Sequence, residues 1–518
     1  MGGLFKVRHY FEISRGFFGD FSGVPLGSLT QANDVFLNFG ARHTIRGKFT
    51  GRINPNTSTT QTGDVSDAQG LSFGWGEAGI DFDFAVWEHF EIEDFWNGWL
   101  TGNADTSRRR YFMVRHGKLS NMAKNGLVFN MPGPSAADRN GFLYVEDVHF
   151  DECATDAYAS VTLGFSHHQY VHISNVTFTG RHNQMLSWEE TSWTNISNVI
   201  ANIDHDFANK AQNCLWTKAN TISHGTNATV NDHVSVSNVS IKVNNNAAAS
   251  AGNSCGIRID SSVTNATDFD AIFSSFDNVE IDGAKTGIYM RQDTSVTDKW
   301  NWTTQLKNIR IRNATDGINA DRVFTEYDDI SIYNSTNGVK TVSGGHIGKL
   351  KLVEVSNPLP SPTAVNSLII TDVTWISRNN TVGSGSPYEL TLWTGDFSAG
   401  TNSTGFAGDF DIFAQAEGLG NQLRTARVHA EYTSVGGITG TAFENADENS
   451  GVSRHWGDSD TGNAIREGYG GNSSQLTIPL TTAAIRVVTN DVIARIESSA
   501  THNDLRLECR FLGVASIT

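Results

Sequence analysis

One short pattern of polar and apolar positions recurs through the middle of this chain. It reads asparagine or aspartate, an aliphatic residue, any residue, then a second large apolar residue. It stands at Asp147-Val148-His149-Phe150, Asn175-Val176-Thr177-Phe178, Asn238-Val239-Ser240-Ile241, Asn278-Val279-Glu280-Ile281, Asn308-Ile309-Arg310-Ile311, Asp329-Ile330-Ser331-Ile332 and Asp372-Val373-Thr374-Trp375. Lys349-Leu350-Lys351-Leu352 keeps the apolar pair without the asparagine, and Asn198-Val199 begins a looser copy. Apolar residues two apart place their side chains on one face of a strand. The shortest step between copies is 20 residues, and longer steps scatter above that floor. A solenoid coil with a fixed minimum circuit and variable loop insertions gives such spacing.

A glycine-aliphatic pair follows three of the copies at nine residues: Gly287-Ile288, Gly317-Ile318 and Gly338-Val339. Each coil then reads strand, polar turn, glycine, second strand, with the glycine expected at a backbone corner. Coils this short leave no room for a crossover helix, so successive strands must stack in parallel. The leading asparagines are expected to stack at one corner and to hydrogen-bond along the axis, as amide ladders do.

The rhythm weakens toward both ends. His89-Phe90-Glu91-Ile92 and Lys118-Leu119 mark earlier coils, and residues 1–80 read as an N-terminal cap or entry region. Beyond the turn cluster at 379–387 the strands lengthen and alternate, which predicts an antiparallel β-sandwich of the jelly-roll kind over 381–518. The expected fold is all-β: a right-handed parallel β-helix over 81–380 followed by that sandwich.

Composition supports this and narrows the partners. Glycine is frequent (50 residues) and proline rare (9), which excludes collagen and proline-rich disorder. The net charge of −17 is repelled by nucleic acid and by anionic membranes. Cys153, Cys214, Cys255 and Cys509 are widely separated and form no CxxC pair, so they read as single buried thiols. The N-terminus has no apolar run of the secretory kind, and no stretch reaches the ~18 apolar residues of a membrane span.

The asparagine-led rungs, the glycine nine residues on and the sandwich that follows resemble the pectate-lyase-like β-helix superfamily, and within it viral (phage) tail spikes and fibres. The resemblance covers roughly residues 80–518. The Gly-Asp-Gly-x-x-Asp-Asp-Thr opening of many phage members is reduced here to Gly63-Asp64-Val65-Ser66-Asp67. The resemblance implies a homotrimer assembled through its C-terminal domain. It also implies a location on a virion, after synthesis in the host cytoplasm, with host-surface polysaccharide and other virion proteins as partners. No cofactor is expected. The fold hosts lyases, hydrolases and adhesins alike, so it does not decide activity.

Cleaving a glycan by hydrolysis takes two carboxylates beside the scissile bond. Trp188-Glu189-Glu190-Thr191-Ser192-Trp193, followed by Asp204-His205-Asp206, is the densest cluster of suitable residues. Glu189, Glu190, Asp204 and Asp206 are the candidate acids, while Trp188 and Trp193 offer faces for sugar rings. His167 and His168 lie one coil earlier. Arg258 and Arg291, with Asp260 and Asp293, follow glycine-isoleucine strand starts in successive coils and would line one groove. A plainer reading makes the same residues solvated loops and surface ion pairs. Glu91, Glu93 and Asp94 among Trp87, Trp96 and Trp99 read as core and cap packing. No metal-ligand motif is present. The expected function is attachment to host glycans, with a depolymerase and a purely structural fibre as alternatives.

Overall fold

The computed structural model describes the strands lying between Phe5 and Ile517 and a few of the turns that join them. Side chains are described for most residues within 86–129, 141–154, 161–204, 214–217, 233–244, 254–259, 274–290, 304–320, 326–340, 345–359, 369–392, 406–414, 493–494 and 505–515. The chain divides into two compact units, Met1–Thr304 and Gln305–Thr518.

In the first unit, from Val35 onward, the strands pair in parallel with the strand two places along the chain, as a coil with two strands per turn requires. One series runs Arg42–Thr50, Phe84–Glu93, Arg110–Met122, Gly141–Cys153, His168–Arg181, Thr194–His205, Val234–Asn245 and Ile272–Asp282. The other runs Val35–Phe39, Gln69–Phe73, Asn97–Thr101, Asn125–Asn130, Val161–Ser166, Gln184–Glu189, Gln212–Ala219, Ser254–Ser261 and Thr286–Gln292. The fold is a right-handed parallel β-helix, the hand that parallel crossovers take almost without exception. The strands before Val35 join the same stack. Phe5–Lys6, Tyr10–Glu12 and Phe17–Asp20 already pair in parallel with Val35–Phe39 and Arg42–Thr50.

Register explains the core. Val148, Val176, Val199, Val239 and Val279 stand opposite one another in successive coils, 0–3% exposed. Leu127, Leu163, Leu186, Leu215, Ile257 and Ile288 make a second inward column, all fully buried. Like side chains on like side chains fill each layer the same way. Phe150 thus stacks on Phe178 at 5.0 Å and 10°. The four cysteines are free and buried within such layers, as the sequence suggests.

The asparagine of the repeat is where each long strand bends. His89, His116, Asp147, Asn175, Asn198, Asn238 and Asn278 all have φ between 51° and 55°, in the left-handed region that asparagine, aspartate and histidine tolerate best. Their neighbours pair on both sides, Glu146 with Ser174 and Val148 with Val176, so the seven form one column. Asn198 Nδ2 donates to Asn175 Oδ1 (3.1 Å), Asn238 to Asn198 (3.2 Å) and Asn278 to Asn238 (2.8 Å). The expected amide ladder is therefore present. Above it His89 stacks on His116 at 4.9 Å, and His116 Nδ1 lies 3.2 Å from Asp147 Oδ2.

In the second unit, Thr325–Thr341, Gly345–Asn357 and Leu368–Val382 continue in parallel. Lys349 takes the ladder position after Asp329 and pairs with it at 3.0 Å. The glycines here serve a different purpose from the one the sequence suggests. A Cβ on Gly338 would lie 2.1 Å from the Pro358 carbonyl oxygen, and one on Gly317 would lie 2.7 Å from Ile332 Cδ1. Neither has a left-handed φ. Close approach of the next coil excludes a side chain there, and the corner itself is made by the asparagines.

Leu368–Val382 is the last parallel strand. On its other side it pairs antiparallel with His502–Ile517, which pairs with Gly405–Ala416, then Gln422–Thr433 and Gly437–Glu444. A second antiparallel sheet orders Pro387–Thr394, Asp491–Ser498, Leu480–Val488 and Ala464–Gly468. Phe410, Ile412, Leu507, Cys509 and Phe511 fill the first sheet's buried face, with Phe410 and Phe511 at 4.9 Å. Arg510 grips Asp372 through Nε (3.1 Å) and Nη2 (2.8 Å), fixing the C-terminal strand on the last coil.

Candidate functional site

The same register that buries one set of side chains lines up another outside. Tyr111, Phe142 and Tyr170 stand opposite one another on consecutive coils. Val171 pairs with Thr194, and Thr194 with Val234, which places Trp193 beside Tyr170 and His233 beside Trp193. The rings follow this order. Tyr111 stacks on Phe142 at 4.6 Å and 13°, Phe142 on Tyr170 at 5.3 Å and 21°, and Trp193 on His233 at 4.1 Å and 15°. Tyr111 is 41% exposed, Tyr170 45% and Trp193 53%. Five rings thus form an outward column along the coil axis, one for each rise of about 4.8 Å.

Polar groups flank it two and four residues further along the strands. Tyr144 stacks on His172 at 5.0 Å and donates its hydroxyl to Glu146 Oε2 at 2.8 Å. That hydrogen bond, then burial, holds the Tyr144 hydroxyl above its ordinary pKa, so it remains a neutral donor. Arg115 donates through Nε (2.9 Å) and Nη2 (2.6 Å) to one oxygen of the buried Glu88. The surface beside the rings therefore carries a phenol, a carboxylate, an imidazole and a guanidinium.

The residues singled out by sequence separate sharply. Trp193 lies on the exposed column. Trp188 does not: it falls in the inward series Phe129, Phe165, Trp188, Thr217, is fully buried, and stacks on Phe165 at 6.5 Å. The parity of the strand Gln184–Glu189 turns it into the core, which corrects its reading as a sugar-stacking ring. His168 is likewise fully buried, with Nε2 2.9 Å from the Phe129 carbonyl oxygen and its ring edge-on to Phe112. It supports the core and offers no contact surface. Trp87 is also fully buried, in keeping with its core reading.

Glu189 ends a strand of the second series, opposite Ser166 and Lys218. Asp204 lies in the first series, opposite Arg181 and Asn244, and accepts a hydrogen bond from Asn244 Nδ2 at 3.0 Å. The two candidate acids thus belong to different strand series of the coil. Glu190, Asp206 and His167, and the side chain of Arg291, lie outside the described residues. Arg258 faces outward between Trp216 and Tyr289, its guanidinium carbon 5.7 Å from the Tyr289 ring centre. Tyr111, Phe142, Tyr170 and His233 escape a motif search because neighbours in the column, Trp193 included, stand 23 to 40 residues apart. Only coil register brings them together.

The pairing defines this chain as a right-handed parallel β-helix protein with a C-terminal antiparallel sandwich. No family model and no curated protein sequence matches it. Among solved structures it is similar to Pantoea stewartii WceF, described as a glycan biofilm modifying enzyme with a bacteriophage tailspike-like parallel β-helix fold. Identity is 8% and the TM-score 0.20, over 81% of this chain and 54% of that one, so this chain spans about half of WceF. It is also similar to a mutant tailspike protein of E. coli bacteriophage HK620 in complex with a pentasaccharide, with 8% identity and a TM-score of 0.29 over 98% of this chain and 87% of that one. A third is tailspike protein gp49 of Acinetobacter baumannii bacteriophage Fri1, a capsular polysaccharide depolymerase, with 10% identity and a TM-score of 0.19 over 93% and 80%.

Proposed function

We propose that this chain is the body of a viral tail spike or fibre that attaches to host-surface polysaccharide, and that the glycan lies along the column Tyr111, Phe142, Tyr170, Trp193 and His233. The observation that carries the reading is the column itself. Exposed aromatic rings in axial register are costly for a soluble surface and suit the apolar faces of sugar rings. The flanking Tyr144, Glu146 and His172 supply hydrogen-bond partners for the hydroxyls. The resemblance to tail spikes noted in the sequence points the same way. It also motivates a homotrimer on the virion, in which three weak sites gain avidity. Light scattering tests this: three times the chain mass of 56.4 kDa is expected.

The binding test is incubation of the intact protein with a panel of bacterial surface polysaccharides, followed by size-exclusion chromatography. Intact glycan that co-elutes with the protein supports the adhesin. Shortened glycan makes it a depolymerase and directs mutation to Glu189, Glu190, Asp204 and Asp206. Intact glycan that elutes apart leaves the structural fibre.

A further inference from the structure

A second site lies in the C-terminal unit, independent of the aromatic column. Between the last parallel strands and the first strand of the second antiparallel sheet is a cavity of about 250 Å³. Glu354, Ser356, Ser377, Tyr388 and Glu389 bring polar groups to it, and Trp375 and Leu390 line it too. No lysine, arginine or histidine is among the lining residues. The cavity is smaller than the ~300–1,000 Å³ of pockets for drug-sized ligands, so it suits a single sugar unit.

Glu354 is the unusual residue. Its φ is 54°, in the left-handed region that a long side chain disfavours. The corresponding positions of the two preceding coils are Asn313 (φ 54°) and Asn334 (φ 50°). Asn334 Nδ2 donates to Asn313 Oδ1 at 3.4 Å. A third asparagine would extend this ladder with less backbone strain. The chain instead carries a glutamate whose Oε1 is buried and accepts no hydrogen bond within the protein. Glu152, another glutamate in this conformation, has its Oε2 bound by Arg181 at 2.8 Å. Strain held at an unsatisfied buried acceptor points to a partner from outside.

The rest of the cavity is arranged to receive one. Ser377 Oγ lies 2.9 Å from the Tyr388 hydroxyl. Asn380 Nδ2 donates to Ser377 Oγ (3.0 Å) and to the Leu505 carbonyl (3.1 Å), holding the serine in place. Burial, and then the charge of Glu354, raise the Tyr388 pKa, so its hydroxyl stays protonated. The unsatisfied carboxylate oxygen of Glu354, among the hydroxyls of Ser377 and Tyr388, favours a ligand rich in donors and disfavours an anion.

We infer that this cavity binds one sugar unit presenting hydroxyl and amine donors, an amino sugar, with Glu354 as the principal acceptor. The test uses saturation-transfer NMR on the full chain, with D-glucosamine as probe and D-glucuronate as a control of similar size and opposite charge. Transfer to D-glucosamine and none to D-glucuronate is expected. Glu354→Gln, which keeps the side-chain length, is expected to weaken D-glucosamine at least about tenfold, the loss that follows removal of a charged acceptor. Glu354→Asn is expected to abolish binding while raising the unfolding midpoint by a few degrees, because it completes the ladder. That gain separates loss of the site from loss of the fold. The inference is overturned if the wild type shows no transfer to D-glucosamine, if D-glucuronate binds as well, or if Glu354→Asn binds like wild type.

Discussion

The indole of Trp193 lies flat on the imidazole of His233, with centroids 4.1 Å apart and planes 15° from parallel. Trp193 is five residues from Trp188 in sequence, yet one faces solvent and the other is fully buried. The two tryptophans should therefore answer different assays. Trp188→Ala is expected to cost about 3–5 kcal/mol, as removal of a large buried ring does. Trp193→Ala is expected to change stability by less than about 1 kcal/mol, since little is uncovered at an exposed site. Chemical denaturation of both variants checks this; equal losses would contradict the assignment of inside and outside.

The asparagine ladder gives a test that separates backbone conformation from hydrogen bonding. Asn238 donates to Asn198 and accepts from Asn278. Asn238→Ala loses both bonds and places alanine in the left-handed region, at about 1–2 kcal/mol for the backbone alone. Asn238→Gly loses the same bonds without that backbone cost. Alanine is expected to be the more destabilising in thermal unfolding. The reverse order would contradict a backbone cost at the bend.

Acid should weaken the first unit through His182. It is fully buried, Nε2 donates to the Thr179 carbonyl at 2.8 Å, and Nδ1 lies 2.8 Å from Thr162 Oγ1. Burial pushes its pKa down from 6.5 to about 4. Below pH 6.5 the unfolded chain takes up a proton that the folded chain refuses, so stability falls from there down to about pH 4. The loss amounts to about 3 kcal/mol at most. His182→Asn removes that proton uptake. The difference in unfolding free energy between wild type and variant is expected to shrink as pH falls through this window. A difference independent of pH would show that His182 titrates normally.

Gly338→Ala is expected to destabilise by about 1–3 kcal/mol, because the new methyl meets the Pro358 carbonyl of the next coil. Gly348→Ala is the control. Its Cβ would meet nothing closer than 3.4 Å, and its unfolding midpoint should barely move.

Much of the fold was legible because a parallel coil repeats one environment. Asn175, Asn198, Asn238 and Asn278 occupy the same bend, so the same residue recurs and the period shows in the sequence. The N-terminal strands escaped because Phe5–Lys6 and Tyr10–Glu12 are two or three residues long and carry no asparagine mark. The candidate site was only partly legible. Trp193 stood out by composition, but Trp188 beside it was misplaced because inward and outward positions differ by a single residue of register. Tyr111, Phe142 and Tyr170 carry no local signal, since they become neighbours only through pairing across whole coils. Glu354 looked ordinary in sequence, and its strain and unsatisfied oxygen appear only in three dimensions.

The central claim is that the outward ring column holds the glycan, and calorimetric titration tests it most directly. A polysaccharide fragment that co-elutes with the intact protein would be titrated into wild type, Trp193→Ala and Tyr170→Ala. Each substitution is expected to weaken binding about tenfold, or roughly 1.4 kcal/mol, with unchanged molecular mass. Wild-type affinity in both variants would contradict the claim, and so would a loss of binding that accompanies a change in oligomeric state, which would make the column a contact between subunits.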